Sequence, residues 1–410
     1  MRKMLIWLIF AVLITGGAAL QAQSGDDTAR PLLMAHYMPW YQTPDVSGYW
    51  GWHWTMDHFD PTQPDANGRP QIASHFMPLT GPYDSQDPDI LEYQVLLMKL
   101  SGIDGVIVDW YGIDDFREYA VLNAATVKLF DAVKRAGLRF IICFEDQIYI
   151  HMTHEGYLTA DEAIPNAQGV MRFMQDEWFS DPAYLSYEGQ PLLFTYGPQY
   201  FRNPDDWETI FSVLDTAPGL VTLDKHMDWA ALSSYPWPPM SQSGGIELLQ
   251  TTLDRYLALF YRNAQRRDLI VGSAFPGFKD SYAEAGVRAS YGSINPRDGE
   301  TLRDTLDLAL EQGADIVQLV TWNDYGEGTI IEPTDEFGYQ YLEIVQETRR
   351  SLESDFSPTA DDLRLPLALY DARRAHAGDV EVNAQLDEAF DAIVSGDLAA
   401  ARAILAIYSA

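Results

Sequence analysis

Short apolar runs alternate with amphipathic stretches along most of the chain. Most of the apolar runs are rich in Val, Ile, Leu or Phe and alternate little with polar residues, which is typical of parallel strands buried on both faces. The runs are Leu32–Tyr37, Gly105–Trp110, Arg139–Phe144, Pro191–Tyr196, Leu220–Leu223, Trp229–Ser234, Leu269–Phe275 and Ile316–Trp322. Apolar residues three and four positions apart predict helices over Ile90–Leu100, Tyr119–Arg135, Ala160–Asp176, Glu247–Arg266 and Glu300–Glu311.

Eight strand-like runs with helices between them predict an α/β fold, a (β/α)8 TIM barrel over residues 30–354. The segment between Leu223 and Trp229 leaves little room for a helix. A doubly wound open sheet is the alternative fold, although no Gly-rich phosphate-binding loop follows the first run. The barrel is therefore the favoured architecture.

Residues 1–24 have the pattern of a secretory signal peptide. Arg2 and Lys3 precede an apolar run from Leu5 to Ile14, and small residues follow it. An uncleaved anchor helix is the alternative, but the run is shorter than the roughly 20 residues that span a bilayer. We therefore expect a secreted or periplasmic protein that has no stable membrane insertion once the signal is removed.

Residues 355–410 lack any strand pattern and are rich in Ala. A boundary is indicated at Phe356-Ser357-Pro358, and the stretches Val380–Val394 and Asp397–Tyr408 predict a helical hairpin that turns at Ser395-Gly396. This small C-terminal helical appendix is interpreted as a lid on the barrel or as a brace against it, with a docking module as the third alternative.

The chain is strongly acidic, with 60 Asp and Glu against 27 Lys and Arg and a formal charge of −33. Such a charge repels phosphate backbones and anionic membranes, so it argues against nucleic acid as a partner. Cys143 is the single cysteine, which excludes an internal disulfide and a four-cysteine zinc site. Aromatic residues make up 13% of the chain and favour neutral polar ligands such as sugars.

Acidic and aromatic residues follow several of the predicted strands. In a TIM barrel, catalytic residues concentrate at the carboxyl ends of the strands, where the βα loops converge. The second run ends in Asp109, the third is followed by Glu145 and Asp146, and the eighth leads into Asn323-Asp324-Tyr325-Gly326-Glu327-Gly328. The pattern therefore predicts a pocket lined by carboxylates, with aromatic walls.

Residues 322–328, here called the acidic turn, carry two carboxylates three positions apart. Gly326 and Gly328 allow a tight turn, so Asp324 and Glu327 can face one cavity. Cleavage of a glycosidic bond needs one acid to protonate the leaving oxygen and a second carboxylate as base or nucleophile. Alternatively, Asp324 caps a turn and Glu327 pairs with a basic residue.

The loop between Met38 and Tyr83 is too long for a simple connection. It contains eight aromatic residues, Trp40, Tyr41, Tyr49, Trp50, Trp52, Trp54, Phe59 and Phe76. Aromatic faces stack on the C–H faces of pyranose rings, whereas the alternative is a loop that packs on itself. We expect two or three of these rings to reach solvent in the cleft.

The histidines give little support to a metal site. His53 and His58 are five residues apart, and His151 and His154 are three apart, next to Glu155. Neither pair forms the His-Glu-x-x-His signature of zinc enzymes, and no Gly-x-Ser-x-Gly elbow of serine hydrolases is present. Accordingly, no metal and no other cofactor are expected.

Several motifs resemble glycoside hydrolase family 99, whose members are endo-acting α-mannosidases with a barrel fold. These motifs are His36-Tyr37-Met38-Pro39-Trp40-Tyr41, Pro78 to Ser85 with Asp87-Pro88, Gly102 to Val106, and Pro276-Gly277-Phe278. The acidic turn resembles two families at once. Family 99 is matched at Asn323, Glu327, Gly328 and Thr329 and at the Ile331-Glu332-Pro333 that follows. Family 71, the endo-acting α-1,3-glucanases, has the sequence Trp-Asn-Asp-Tyr-Gly-Glu, which is identical to Trp322 to Glu327.

The resemblance implies roles for individual residues. Glu327 would be the general acid, and Asp324 would be the base that activates water or the 2-hydroxyl of the substrate. Asp324 stands where family 99 has the longer Glu, and Tyr325-Gly326 replace Trp-His. Glu145 matches a third-strand acid that lines the site. The predicted substrate-binding residues are Tyr37, Trp40, Tyr41, Trp52, Trp54, Tyr83, Asp109, Trp110, Glu145, Tyr196, Trp322 and Asn323.

Together these features predict an exported glycoside hydrolase. Its substrate would be an α-linked polysaccharide or oligosaccharide, an α-mannan or an α-glucan, cleaved within the chain by paired carboxylates. Two alternatives stay open: a transferase-type glycan-processing protein of a polysaccharide locus, and a catalytically silent carbohydrate-binding barrel.

Overall fold

Eight parallel strands form the centre of the fold in the computed structural model, which describes residues 30–66, 68–224 and 230–408. The strands are β1 (Leu32–Tyr37), β2 (Gly105–Trp110), β3 (Arg139–Phe144), β4 (Gln190–Thr195), β5 (Gly219–Leu223), β6 (Ser233–Tyr235), β7 (Val271–Ala274) and β8 (Ile316–Leu319). Nearly all their residues are buried, as runs without polar alternation require. The predicted (β/α)8 barrel is confirmed.

The barrel is nearly closed. Its hydrogen-bonded order is β6-β5-β4-β3-β2-β1-β8-β7, with each neighbouring pair parallel. Side chains bridge the remaining gap between β6 and β7, where Ser233 Oγ donates to the carbonyl of Leu269 (2.7 Å) and Ser273 Oγ donates to the carbonyl of Pro236 (2.7 Å). Buried hydroxyl groups thus take over a role that backbone pairing has elsewhere in the barrel.

Helices surround the barrel. They are α1 (Trp52–Thr55), α2 (Pro88–Ser101), α3 (Tyr119–Arg135), α4 (Ile148–His154), α5 (Ala160–Met174), α6 (Pro204–Phe211), α7 (Gln250–Ala264), α8 (Glu300–Glu311) and α9 (Gln340–Leu352). The five predicted helices are present with ends close to the expected bounds, whereas the helices over Trp52–Thr55, Ile148–His154, Pro204–Phe211 and Gln340–Leu352 were not predicted. A π-helical turn over Gln175–Phe179 continues α5. In the described part of the chain, no helix has the length and apolarity needed to cross a membrane.

Helix α2 shows how local sequence fixes an element. The side chain of Asp87 accepts from the Asp89 N–H (3.0 Å), and Pro88 occupies the first turn, where it needs no hydrogen-bond partner. Gly102 ends the helix with φ of 78°, and a Cβ at this position would lie 2.4 Å from Cγ of Arg349. Only glycine therefore allows α2 to turn into β2 under this arginine.

One predicted strand is displaced. The sixth run was expected over Trp229–Ser234, but β6 spans Ser233–Tyr235, and pairing starts where the Leu232 N–H donates to the carbonyl of Leu220 (2.9 Å). The apolar residues just before Leu232 form a turn, which a hydrophobic pattern alone cannot distinguish from a strand. Trp229 and the predicted signal peptide lie outside the described residues.

The C-terminal segment is a brace on the outer side of the barrel. It contains α10 (Leu365–Ala375) before the predicted hairpin, which is formed by α11 (Val380–Ser395) and α12 (Leu398–Tyr408). The buried Arg373 of α10 makes a bidentate ion pair with Glu92 of α2 (2.9 and 3.1 Å), and Arg135 of α3 lies 3.7 Å from the ring centre of Phe390. None of its residues up to Tyr408, the last one that the structure describes, lines the cavity described below, which contradicts the lid interpretation.

Removal of Arg373 tests this brace. Among the described residues, Arg373→Met leaves the buried Glu92 with only the half-exposed Arg135 (3.1 Å) as an ionic partner, so we expect the free energy of unfolding to fall by roughly 3 kcal/mol. The more exposed pair of Arg364 with Glu343 is the control, and Arg364→Met should cost about 1 kcal/mol or less. Urea titrations at neutral pH measure both, and equal losses in the two variants would contradict the brace.

Candidate active site

A cavity of about 410 Å³ opens at the carboxyl ends of the barrel strands. It is lined by His36, Met38, Trp40, Asp109, Tyr111, Glu145, Gln147, Tyr196, Gln199, Trp237, Tyr282, Arg288, Tyr291, Asp324 and Glu327. A second depression of about 400 Å³ shares Tyr196, Trp237, Tyr291 and Glu327 with it. The two volumes therefore adjoin each other at Glu327, and together they are called the groove here.

Strands β1 to β3 supply the floor of the cavity. Asp109 is paired in register with Cys143, and Glu145 follows β3 directly. Burial raises the pKa of Asp109 to about 7, and burial together with the charge of Asp109 raises the pKa of Glu145 well above its usual range. His36 is neutral, because burial lowers its pKa to about 4. The floor therefore keeps protons on its carboxyl groups at mildly acidic pH.

One group of metal-ligand type converges among the described residues. Ligand atoms of His36, Asp109 and Cys143 all lie within 4.8 Å of one another, a proximity that the sequence did not indicate. A metal would need the thiolate of Cys143, but burial raises the pKa of this thiol well above its usual value. Cys143 also lies 3.7 Å from the hydroxyl of Tyr235. The trio therefore fits a hydrogen-bonded floor better than an ion site.

Backbone hydrogen bonds fold the acidic turn around Asp324. Its N–H donates to Oγ1 of Thr321 (2.7 Å), its carboxylate accepts from the Glu327 N–H (3.0 Å), and its carbonyl accepts from the Gly328 N–H (2.8 Å). Gly328 has φ of 65°, and a Cβ there would lie 2.7 Å from the carbonyl of Lys279. The predicted approach of Asp324 and Glu327 to one cavity is thus a property of this compact turn.

The two acids of the turn have different surroundings. Burial raises the pKa of Asp324 to about 7, while the backbone N–H groups of Glu327 and Gly326 favour its ionised form. Burial and the charge of Asp324 raise the pKa of Glu327 well above its usual range. Asp324 is therefore the better carboxylate and Glu327 the better acid, as a pair that divides general base and general acid roles requires.

The loop between β7 and α8 closes one side of the cavity. Asp280 holds the loop together by accepting from Ser290 Oγ (3.0 Å) and from the Tyr291 N–H (2.7 Å). The hydroxyl of Tyr282 donates to Oε1 of Glu327 (3.2 Å). The exposed guanidinium of Arg288 lies 4.3 Å from the ring centre of Tyr291. A tyrosine and an arginine thus face the expected acid.

The opposite side is built on another buried acid. Asp146 accepts from the backbone N–H groups of Gln199, Tyr200 and Phe201 (2.7 to 2.9 Å), which fixes the loop after β4. At the start of this loop, Tyr196 meets Trp237 edge to face, with ring centres 5.0 Å apart. Aromatic walls and polar groups therefore alternate around the cavity.

Six of the predicted site residues line this cavity: Trp40, Asp109, Glu145, Tyr196, Asp324 and Glu327. Tyr37 and Trp110 do not, and their assignment to substrate binding is corrected. Successive side chains of a strand point to opposite faces, so His36 and Asp109 face the barrel interior and their successors point outward. The hydroxyl of Tyr37 donates to Gln94 (2.6 Å), and Nε1 of Trp110 donates to Asn123 (3.1 Å).

Five of the remaining predicted residues are buried away from the cavity, so the substrate contacts assigned to them are corrected too, whereas the contact assigned to Trp52 stays a prediction. The buried side chains of Tyr41, Trp54 and Tyr83 pack behind the acidic turn, and Trp322 and Asn323, which belong to the turn, point into the same buried interior. Trp52 is 38% exposed and meets the edge of His53, which stacks on Trp40 with ring centres 4.0 Å apart. The first loop is therefore mostly a self-packed core, and of its eight Trp, Tyr and Phe side chains only Tyr49 and Trp52 are exposed.

Some cavity residues were not predicted. Tyr282, Arg288 and Tyr291 belong to the loop between Ala274 and Glu300, and Trp237 follows β6. The loop between Ala274 and Glu300 is longer than ordinary βα connections, and this length was the feature of the sequence that could have indicated a functional loop. The side chains of this loop that point into the cavity depend on the hydrogen bond between Ser290 and Asp280, which no local sequence pattern predicts.

The model of the family described as Glycosyl hydrolase family 99 matches residues 29–220. This chain is a glycoside hydrolase related to family 99. The glycoprotein endo-alpha-1,2-mannosidase of Mus musculus is 21% identical over 379 residues, which cover 82% of this chain and 73% of the mouse protein. The human endo-alpha-1,2-mannosidase-like protein is 24% identical over 361 residues, 82% of this chain and 74% of its own length.

Solved structures agree on the fold of this glycoside hydrolase. The family 99 endo-alpha-mannosidase of Bacteroides thetaiotaomicron has a TM-score of 0.58 at 20% identity, and the match covers 80% of this chain and 99% of that one. A glycoside hydrolase-like protein has a TM-score of 0.51 at 14% identity, with 77% and 94% covered. At such identities the likeness establishes the barrel, while the substrate stays a matter for proposal.

The raised pKa values of the buried acids predict how stability depends on pH. Acids such as Asp109, with a pKa of about 7 when folded and near 4 when unfolded, bind more protons in the folded state between these values. The free energy of unfolding should therefore fall as the pH rises from about 5 to 8. Asp109→Asn should make this fall shallower in urea titrations, because it removes one such acid.

Glu177 is exposed, so Glu177→Gln is the control for this prediction. Its free energy of unfolding should change with pH as that of the wild type does over the same range. Parallel pH dependence in wild type and Asp109→Asn would contradict the assignment of Asp109 as a proton-binding buried acid.

Proposed function

We propose that the chain is an exported glycosidase that hydrolyses α-linked glycans of the mannan type within their chains. The observation that carries this proposal is the joint placement of Asp324 and Glu327 on one buried turn, with Tyr282 donating to Glu327. In addition, the relatives with this barrel are named endo-alpha-mannosidases. The match of the acidic turn to family 71 makes α-1,3-glucan the first polymer to compare.

In the proposed reaction, Glu327 protonates the glycosidic oxygen of the leaving sugar. Its raised pKa keeps a proton available, and its neighbour Asp324 accepts a proton from water or from the 2-hydroxyl of the cleaved sugar. If water is deprotonated, its oxygen bonds to the anomeric carbon as the glycosidic bond breaks, and the two acids exchange their protons with solvent afterwards. If the 2-hydroxyl is deprotonated, its oxygen displaces the leaving sugar and forms a 1,2-anhydro sugar. Water then opens this ring at the anomeric carbon, giving its proton to Glu327 while Asp324 returns a proton to the 2-oxygen, so atoms and charge balance on both routes. No metal or other cofactor is needed for these steps.

Cleavage within a chain is supported by the shape of the site. The groove continues past Glu327 into the second depression, where Trp237, Tyr256 and Phe278 are among the lining residues. Aromatic faces there can stack on further sugar rings, while the carboxylates and Arg288 can bind hydroxyl groups. An oligosaccharide or polysaccharide that occupies both volumes presents an internal bond to Glu327.

The acid pair is tested by reducing-sugar release from α-mannans and from α-1,3-, α-1,4- and α-1,6-glucans. Glu327→Gln and Asp324→Asn should each lower kcat/KM by about 10²- to 10⁴-fold, because each removes a proton-transfer group. Glu284→Gln, an exposed acid of the β7–α8 loop, is the control and should retain activity. Binding without release in the wild type would favour a silent carbohydrate-binding barrel, and dependence on a nucleotide-sugar donor would favour a transferase.

Tyr282 should set the upper pH limit of the reaction. Its hydroxyl lowers the pKa of Glu327, so Tyr282→Phe should raise that pKa and move the alkaline limb of kcat/KM to higher pH, with a lower maximal rate. Tyr291→Phe removes a hydroxyl from the same wall that is not bonded to Glu327, and its alkaline limb should stay where the wild type has it. An alkaline limb that Tyr282→Phe leaves unmoved would identify another group as the acid.

A further inference from the structure

Glu332 is a fully buried carboxylate that lies behind the acidic turn and does not line the cavity. It accepts three hydrogen bonds, from Nε2 of Gln94 (2.7 Å), from the hydroxyl of Tyr83 (2.9 Å) and from the hydroxyl of Tyr325 (2.8 Å). Among the described residues, no Lys or Arg forms an ion pair with it. These three hydrogen-bond donors are neutral side chains.

These partners are connected to the residues on either side of Asp324. Tyr325 follows Asp324 in the acidic turn, and its ring packs inward against Trp54, with ring centres 5.3 Å apart. The hydroxyl of Tyr83 also accepts from Nδ2 of Asn323 (3.0 Å), the residue before Asp324. Glu332 is therefore bound directly to one neighbour of Asp324 and through one hydroxyl to the other.

The same buried network reaches the residue that follows strand β1. Asn323 exchanges two hydrogen bonds with the backbone of Met38, at 2.8 and 3.0 Å, and the hydroxyl of Tyr41 links the carbonyl of Asn323 (2.8 Å) to the N–H of Tyr325 (3.1 Å). Both backbone neighbours of Asp324 are thus held from the core side. The side chain of Asp324 faces the cavity.

A buried carboxylate without a cation is costly unless its hydrogen bonds serve a purpose. Burial raises the pKa of Glu332 to about 7, and the bonds from Gln94, Tyr325 and Tyr83 oppose this rise. An apolar side chain at this position would leave two tyrosine hydroxyls and one amide without their acceptor. A carboxylate is the side chain that can accept from all three at once.

We propose that Glu332 is a positioning residue, which fixes Tyr325 and, through Tyr83, Asn323, and so holds Asp324 and Glu327 in their reactive geometry. This role rests on the proposed function, because it acts through the acid pair. Displacement of a reacting group by about 1 Å can lower a rate by two orders of magnitude. Loosening of the anchor should therefore slow the chemical step and leave substrate binding nearly intact, because the residues that line the groove are not altered.

The test compares Glu332→Gln, Tyr325→Phe and their combination with Tyr93→Phe. Tyr325→Phe keeps the ring and removes one hydroxyl, so it tests the bond even where Glu332→Gln lowers stability. Tyr93 is a buried tyrosine of α2 whose hydroxyl has no hydrogen-bond partner in the described part of the chain, which makes it the matched control. Rates are measured on the glycan that the wild type cleaves, well below the unfolding midpoint of each variant.

We expect Glu332→Gln and Tyr325→Phe to lower kcat by about tenfold or more with KM within about twofold, and Tyr93→Phe to stay within about twofold of the wild type. The combined variant should be no slower than the slower of the two single variants, because both changes act on the same bond between residue 332 and Tyr325. In the inactive Glu327→Gln background, Glu332→Gln should leave the affinity for the intact glycan unchanged.

Any of three results would overturn the positioning role: an unchanged kcat in both test variants, an equal loss of kcat in Tyr93→Phe, or losses of kcat that multiply in the combined variant. A loss that appears in KM or in affinity would assign Glu332 to substrate binding instead and would likewise overturn it. A wild type that cleaves no glycan contradicts the proposed function, and the positioning role falls with it. An active wild type with unaffected variants contradicts the positioning role alone.

Discussion

A carboxyl group removed from water must keep a proton or be satisfied by hydrogen bonds, and this constraint governs one end of the barrel. The cavity is lined by four acids, Asp109, Glu145, Asp324 and Glu327, in a chain whose formal charge is −33. Among the described residues that line it, Arg288 is the only Lys or Arg. Accordingly, Asp324 is stabilised by backbone N–H groups, and Glu327 accepts from the hydroxyl of Tyr282. The acids are close enough to alter one another's pKa, which is what makes the site chemically useful.

The two sides of the cavity are built differently. The acidic turn is held from behind by buried residues of the first loop and of α2, so its geometry belongs to the packed core. The facing wall comes from the loop between β7 and α8, where Asp280 holds Ser290 and Tyr291. The start of this loop is bound to the acidic turn, because the N–H groups of Lys279 and Ser281 donate to the carbonyls of Glu327 (2.8 Å) and Gly326 (3.0 Å). Rigid acids thus face a wall whose side chains are partly exposed to solvent.

Much of this could be predicted from the sequence. Continuous apolar runs gave the barrel strands, and acids at their ends gave Asp109, Glu145, Asp324 and Glu327. The orientation of adjacent residues could not be predicted, because a strand buried on both faces has no polar alternation to show which side chain points inward, hence Tyr37 and Trp110 were misassigned. The donors to Glu332 come from residues 83, 94 and 325, and only the folded chain brings them together.

The acidic turn is packed against the core, whereas the opposite wall of the cavity belongs to a partly exposed loop. This difference affects how the substrate specificity of such an enzyme can change in evolution. Substitutions in the β7–α8 loop can change which sugar is accepted with little effect on the packed interior. Substitutions at Asn323 or Tyr325 disturb the hydrophobic centre and the acids together. New specificities are therefore more accessible through the loop, and a library aimed at a different linkage would best be confined to it.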